Sequence, residues 1–195
     1  MNSVNGYLVW DSKEALVIDP GSASEVYQIK NKIEELDLNL KYIINTHSHF
    51  DHIGGNKFFK DNFKVELGVS KMESENLVDP EKNLSRYMGT TIKSPEADFY
   101  FESMEVLSFG NNKLKIINCP GHSQGSIALY NQNNNLLFSG DTIFKNGVGR
   151  TDLPGGNGDE LRKSINKLMK LPDKTIVLPG HGPETTIKDF KKYYL

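Results

Sequence analysis

The sequence predicts an α/β layer protein with mixed sheets. Short apolar runs bounded by Gly, Asn and Pro alternate with amphipathic stretches in the first half of the chain. From Phe99 onward strands dominate, before a closing helix–strand–helix. The size agrees: 195 residues, 37% hydrophobic and 25% charged, suit one domain spanning 1–195. Such a chain buries roughly 70% of its unfolded surface and needs no disulfide to fold.

The elements follow in order. Gly6 to Trp10 and Ala15 to Asp19 read as a hairpin around Asp11-Ser12-Lys13, closed by Pro20-Gly21. Ser24 is placed to cap a helix running to about Asp37, with Val26, Ile29, Ile33 and Leu36 on one face. Tyr42-Ile43-Ile44 is a short buried strand, followed by a polar loop crowded with histidines and a helix from near Gly54 carrying Phe58 and Phe59. Lys71 to Pro95 holds helix-like pieces at Met72–Leu77 and Asn83–Tyr87 and no motif. Strands are expected at Tyr100–Glu102, Met104–Phe109, Lys113–Asn118, Ser126–Asn131 and Leu136–Ser139, with Asn131–Asn135 as a hairpin turn. Phe99, Tyr100 and Phe101 alternate with no clear face. A helix from Asp159 to Met169, a strand at Thr175–Leu178 and a helix from Thr186 complete the chain. Lys188, Lys191 and Lys192 read as a solvated face of that last helix.

Composition excludes several function classes. The 23 Lys+Arg against 25 Asp+Glu give a formal charge of −2, so no basic excess exists to hold a phosphate backbone, and no nucleic-acid partner is expected. The single Cys119 rules out a disulfide framework; it ends a strand and reads as a buried, inert thiol. The opening Met1-Asn2-Ser3-Val4-Asn5-Gly6 has neither a basic nor an apolar leader, and the longest apolar runs fall far short of the ~20 residues of a membrane span. A soluble, cytoplasmic protein without a membrane partner is expected.

The chemistry concentrates on five histidines. Three lie in Thr46-His47-Ser48-His49-Phe50-Asp51-His52. In an extended turn residues i and i+2 point the same way, so His47 and His49 can grip one cation. Asp51 continues the alternation, while His52 projects differently and can serve a second cation. Imidazoles beside a carboxylate suit zinc, iron or manganese. Three later pieces share one layout, a strand ending in a glycine turn with one metal-capable side chain. They are Pro120-Gly121-His122, Ser139-Gly140-Asp141 and Pro179-Gly180-His181. Every histidine thus has a place in one candidate site. Asp19 is placed either to orient a ligand histidine or to start a turn.

Those residues, in that order, resemble the metallo-β-lactamase superfamily over nearly the whole chain. Gly140-Asp141-Thr142, Gly149-Arg150-Thr151-Asp152-Leu153-Pro154-Gly155-Gly156 and Pro179-Gly180-His181-Gly182-Pro183 look most like its compact glyoxalase II-like (hydroxyacylglutathione hydrolase-like) branch. The resemblance implies an αββα sandwich of two mixed sheets with helices on the outer faces. It implies that His47, His49 and His122 bind one metal and that Asp51, His52 and His181 bind another, with Asp141 bridging. Two divalent ions, zinc foremost with iron or manganese as alternatives, are the implied cofactors. Asp51 and Asp141 are the implied catalytic carboxylates. No separate C-terminal region of the kind that grips glutathione in classical glyoxalase II enzymes is expected.

With all five histidines assigned as ligands, none remains as a free base, so a hydroxide held by the ions is the expected nucleophile. No general acid stands in the motif loops. A thiolate, with a pKa near ~8.5, leaves without one, whereas an amide or alkoxide would not. Hydrolysis of a small thioester, of the S-lactoylglutathione type, is the resulting expectation. Arg150 and Lys145 are candidate substrate-binding cations; Arg150 can equally pair with Asp152. The alternative activity is a persulfide dioxygenase with a single iron held by His47, His122 and Asp141. A lactonase and a non-enzymatic metal-binding protein stand further back.

Overall fold

Side-chain alternation along the strands decides the layering. The structure, a computed structural model, describes residues 4–102 and 106–195, apart from the side chains of residues 23–25. One sheet holds, in spatial order, β1 (Tyr7–Asp11), β2 (Glu14–Ile18), β3 (Asn39–Ile44), β4 (Glu66–Ser70) and β5 (Phe99–Phe101). The β1–β2 pair is antiparallel and the rest run parallel. The other sheet holds β6 (Val106–Phe109), β7 (Asn112–Asn118), β8 (Ile127–Asn131), β9 (Leu136–Gly140), β12 (Ile176–Pro179) and β13 (Thr185–Thr186), again neighbour to neighbour. Between β9 and β12 the chain forms a small hairpin of β10 (Ile143–Phe144) and β11 (Gly147–Val148). Helices α1 (Ala23–Glu35), α2 (Phe50–Ile53), α3 (Asn56–Asn62) and α4 (Ser74–Val78) belong to the first half of the chain. Helices α5 (Gly158–Leu168) and α6 (Ile187–Tyr194) belong to the second.

Three apolar layers result. Ala15 and Val17 of β2 pack with Val26, Ile29 and Ile33 of α1 and with Phe59 of α3. Leu16 and Ile18, pointing the other way, meet Ile127 and Leu129 of β8 and Phe138 of β9 in the layer between the sheets. Ala128 and Tyr130 of β8 face Leu161, Ile165 and Leu168 of α5 and Phe190 of α6. The order is helix, sheet, sheet, helix, as the αββα expectation requires. In β3 the two faces stay correctly filled because Lys41 is an extra residue in the pairing with β2. Ala15 pairs with Leu40 and Leu16 with Tyr42, so Leu40 and Ile43 share the helix side while Tyr42 and Ile44 share the inner side.

Several element boundaries differ from the sequence reading. Helix α1 begins at Ala23, one residue before the expected cap, and ends at Glu35 because Asp37 turns left-handed at φ +51°. Its termination is a Schellman arrangement: Leu38 N–H donates to Ile33 O at 2.9 Å and Asp37 N–H to Glu34 O at 3.1 Å. Strand β4 was not anticipated, since Gly68 interrupts its apolar pattern; the missing side chain leaves room for the Phe99 ring of the neighbouring strand. Phe99 and Phe101 do share a face, turned into the layer between the sheets, and Tyr100 points out. Of the strand expected at Met104–Phe109, Val106–Phe109 is observed, and Met104 and Glu105 lie outside the described residues. Thr186 caps the last helix, accepting from Asp189 N–H at 3.1 Å. No helix among the described residues is long and apolar enough to cross a membrane.

Candidate metal centre

Topology brings the candidate side chains to one edge. Strand β7 is antiparallel to β8, β8 to β9, and β9 is parallel to β12, so β7, β9 and β12 all end on the same side. His122 follows β7, Asp141 follows β9 and His181 follows β12. In the other sheet β2 and β3 are parallel and also end together, delivering Asp19 and the loop from Asn45 to His52. Ile127 N–H, at the start of β8, donates to Thr46 O at 2.8 Å and fastens that loop across to the second sheet. The turn carrying His181 is held from the N-terminal side: Asn5 N–H donates to Gly180 O at 2.7 Å, and the Tyr7 hydroxyl to Pro179 O at 2.7 Å.

All seven predicted residues converge. His47, His49 and His122 offer nitrogens within 4.8 Å of one another; the same holds for His47, His52 and Asp141, and for Asp51, His52 and His181. His49 Nδ1 and His122 Nε2 are 2.9 Å apart. Asp141 reaches both groups, its Oδ1 3.5 Å from His52 Nε2 and its Oδ2 3.5 Å from His122 Nε2 and 3.6 Å from His181 Nε2. His181 Nε2 also lies 3.3 Å from Asp51 Oδ2. The local geometry departs from the sequence reading at one point. Asp51 does not continue an extended alternation; it sits with His52 on the helical turn α2, begun by His49 in extended conformation. A helical turn separates successive side chains by ~100°, which is what parts Asp51 from His52.

Partners behind the rings aim them. The Thr46 hydroxyl donates to Asp19 Oδ2 at 2.7 Å and is 3.1 Å from His47 Nδ1, while Thr46 N–H donates to Asp19 Oδ1 at 2.8 Å. Asp19 Oδ2 is also 2.9 Å from His52 Nδ1. His122 Nδ1–H donates to Arg150 O at 2.8 Å. In each of these three rings Nδ1 is engaged outward and Nε2 is left facing inward. Asp19 therefore orients histidines; Thr46 and a second buried acid, Glu73, were not singled out by the sequence. Glu73 stands in an unremarkable polar stretch, and only the tertiary fold buries it.

The electrostatics suit a cation. Burial, then the neighbouring imidazoles His52, His49 and His122, push His47 well below the usual histidine range. Burial and His122 bring His49 down to about 4. For Asp141, burial opposes ionisation, but His52, His122 and His181 outweigh it and the carboxyl stays below its ordinary value. Burial likewise opposes a charge on Asp51, and the hydrogen bond from His181 overcomes it. Among the described residues, His47 Nε2, His52 Nε2 and Asp141 Oδ1 are buried without a hydrogen bond. Buried polar atoms are almost always satisfied, and an imidazole–carboxylate donor set fits a divalent metal ion.

The centre opens onto a cavity of about 620 Å³. Phe50, Leu84, Tyr87, Met88, Phe144 and Val148 form its apolar wall, and Lys145 and Arg150 its cationic edge. Arg150 is engaged with Asp152 through two hydrogen bonds of 2.7 Å, the internal pairing weighed from the sequence. Among the described residues Lys145 is paired with no carboxylate. Cys119 is fully buried below α5, and burial pushes its thiol up to about 12, so it is inert.

Residues 2–181 match the family model of the metallo-beta-lactamase superfamily. The chain belongs to that superfamily. It is 37% identical over 193 residues to the hydroxyacylglutathione hydrolase GloC of Haemophilus influenzae, covering 96% of this chain and 90% of the relative. A solved structure of the B3 metallo-beta-lactamase BLEG-1 superposes with a TM-score of 0.91 at 36% identity, covering 98% of this chain and 95% of the other. TTHA1623, solved in a di-iron-bound form, gives 0.86 at 31% identity, with 97% and 93% covered. The superfamily fold is thus matched across both sheets and their outer helices, as its resemblance to the sequence implied.

Proposed function

We propose that this superfamily member is a dinuclear metal-dependent hydrolase that cleaves a small thioester. The observation that carries the reading is the convergence of seven imidazole and carboxylate side chains, several unpartnered, at the mouth of a partly apolar cavity. His47, His49 and His122 would hold one divalent ion, Asp51, His52 and His181 a second, and Asp141 both. Zinc is the first candidate, and the di-iron form of TTHA1623 keeps iron beside it. Ions bound there would lower the pKa of water towards ~7 and offset the charge of a developing oxyanion.

The chain's own residues do the rest. Asp141, buried and ionised, can accept the proton that the attacking water gives up. The wall of Phe50, Leu84, Phe144 and Val148 excludes bulk water from the acyl group. Lys145 lines the cavity and would meet an anionic end of the substrate, with Arg150 held back by Asp152. No unassigned imidazole remains as a general acid, which favours a thiolate leaving group over an amine. The name of the Haemophilus relative points the same way.

The test is turnover of S-lactoylglutathione under anaerobic conditions by protein of measured metal content. Two ions per chain and thiol release support the reading. One iron per chain with persulfide-dependent oxygen uptake would instead make it a dioxygenase. Hydrolysis of a β-lactam in preference to thioesters would also overturn the substrate assignment. Replacing Lys145 by Ala is expected to raise KM for anionic thioesters about tenfold with kcat little changed, the pattern of a lost binding contact.

A further inference from the structure

Glu73 is a buried acid that the proposed hydrolysis leaves unused. It closes the 3-10 turn Lys71–Glu73 after β4 and is fully buried. Its Oε2 accepts from Ser48 N–H at 3.2 Å, from the Ser48 hydroxyl in a short bond, and from Asn76 Nδ2 at 3.2 Å. Its Oε1 accepts from Gly125 N–H at 2.8 Å. Burial opposes its charge, yet hydrogen bonds from Ser123, Ser48 and Gly125 keep the carboxyl below the usual range, so it is an anion at neutral pH.

Apart from the neighbouring Asn76, those donors share a position. Ser48 lies between His47 and His49, and Ser123 and Gly125 follow His122. One carboxylate thus clasps the two turns that supply the His47–His49–His122 group. Among the described residues its hydrogen bonds go to the turns of Ser48, Ser123 and Gly125 and to Asn76, whereas Asp19 bears on His52 and, through Thr46, on His47. We propose that Glu73 is a positioning residue that sets the affinity of one ion site, the His47–His49–His122 triad, independently of the other. It acts through loop backbones and hydroxyls, touching no imidazole nitrogen. This inference rests on the metal-centre reading above.

The geometry makes the claim selective, because a glutamine at this position keeps the volume but offers one acceptor oxygen where donors now converge on both carboxylate oxygens. The test isolates each site in the full chain: His181→Ala leaves the triad intact, and His49→Ala leaves the Asp51–His52–His181 group. Apo-protein is titrated with Zn²⁺ against a chromophoric chelator, with and without Glu73→Gln, and a thermal melt of each apo-protein reports folding. In the His181→Ala background Glu73→Gln is expected to weaken Zn²⁺ binding 10–100-fold, the size of effect seen when a partner behind a metal ligand is lost. In the His49→Ala background the change is expected to stay within about threefold. Should Glu73→Gln fail to fold, Ser48→Ala removes one of the donors and is expected to weaken the triad about threefold, again only in the His181→Ala background. Equal weakening in both backgrounds, or a lowered melting temperature with no change in Zn²⁺ affinity, overturns the proposal. A wild-type chain that takes up no Zn²⁺ overturns the metal-centre reading itself.

Discussion

A methyl group at Gly180 would overlap Asp141 Oδ1 and come within 2.8 Å of His52 Cε1. Gly180→Ala is therefore expected to cut turnover by about 100-fold, because it displaces two site side chains by a fraction of an ångström. A urea unfolding curve should move little by comparison. Asp141→Asn keeps the shape and removes the charge; turnover is expected to fall at least as far, with lower metal content by elemental analysis. Thr46→Val deletes the hydroxyl between His47 and Asp19, and a 10–100-fold loss of metal affinity is expected. The seven chemistry-bearing residues were legible in the sequence because each is a metal-capable type at a strand end or in one dense loop. Glu73 was not: it lies in a helix-like piece, Met72–Leu77, that carries no motif, and its burial depends on partners at positions 48 and 125.

Among the elements, those with an intact period were readable and those edited by a tertiary contact were not. Helix α1, β8 and β9 have regular apolar spacing and appeared within a few residues of expectation. Strand β4 has Gly68 at its centre because the Phe99 ring occupies the space a side chain would take. Gly68→Ala is expected to destabilise the fold by about 1–3 kcal/mol, the cost of overpacking a filled layer. A chemical denaturation midpoint measures it, with the slope unchanged if the denatured state is unaffected. The histidine loop was expected to stay extended as far as Asp51; from Phe50 it is the turn α2, whose Phe50 N–H donates to Asn83 O at 3.0 Å. That contact joins two segments over thirty positions apart, so no local pattern announces it.

Across the whole molecule, the buried carboxylate of Glu73 makes stability depend on pH in one direction. Glu73 has a folded pKa below its unfolded one, so the unfolded chain binds more protons in that window and stability rises with pH there. The contribution is complete above the unfolded value of ~4.3 and is lost as pH falls through the folded value. The wild-type chain is thus expected to lose stability below about pH 4.5 more steeply than Glu73→Gln, which calorimetry across that range would read. Metal removal acts separately: an ion at 100 times its dissociation constant stabilises the folded state by about 2.7 kcal/mol, so chelation should lower the melting temperature.

The position of the seven side chains has a mechanical consequence. Four come from the loop after β3 in one sheet, and three from turns after β7, β9 and β12 in the other. Cations seated among them would rivet one half of the sandwich to the other at one rim, while at the opposite rim Gly110 N–H donates to Glu14 Oε2 at 2.8 Å and Asn111 N–H to Asp11 Oδ2 at 2.6 Å. Stripping the ions should then open the molecule like a book from that rim. Amide hydrogen exchange should quicken first around residues 45–52, 119–125 and 180–182, with the β2 and β8 interior still protected.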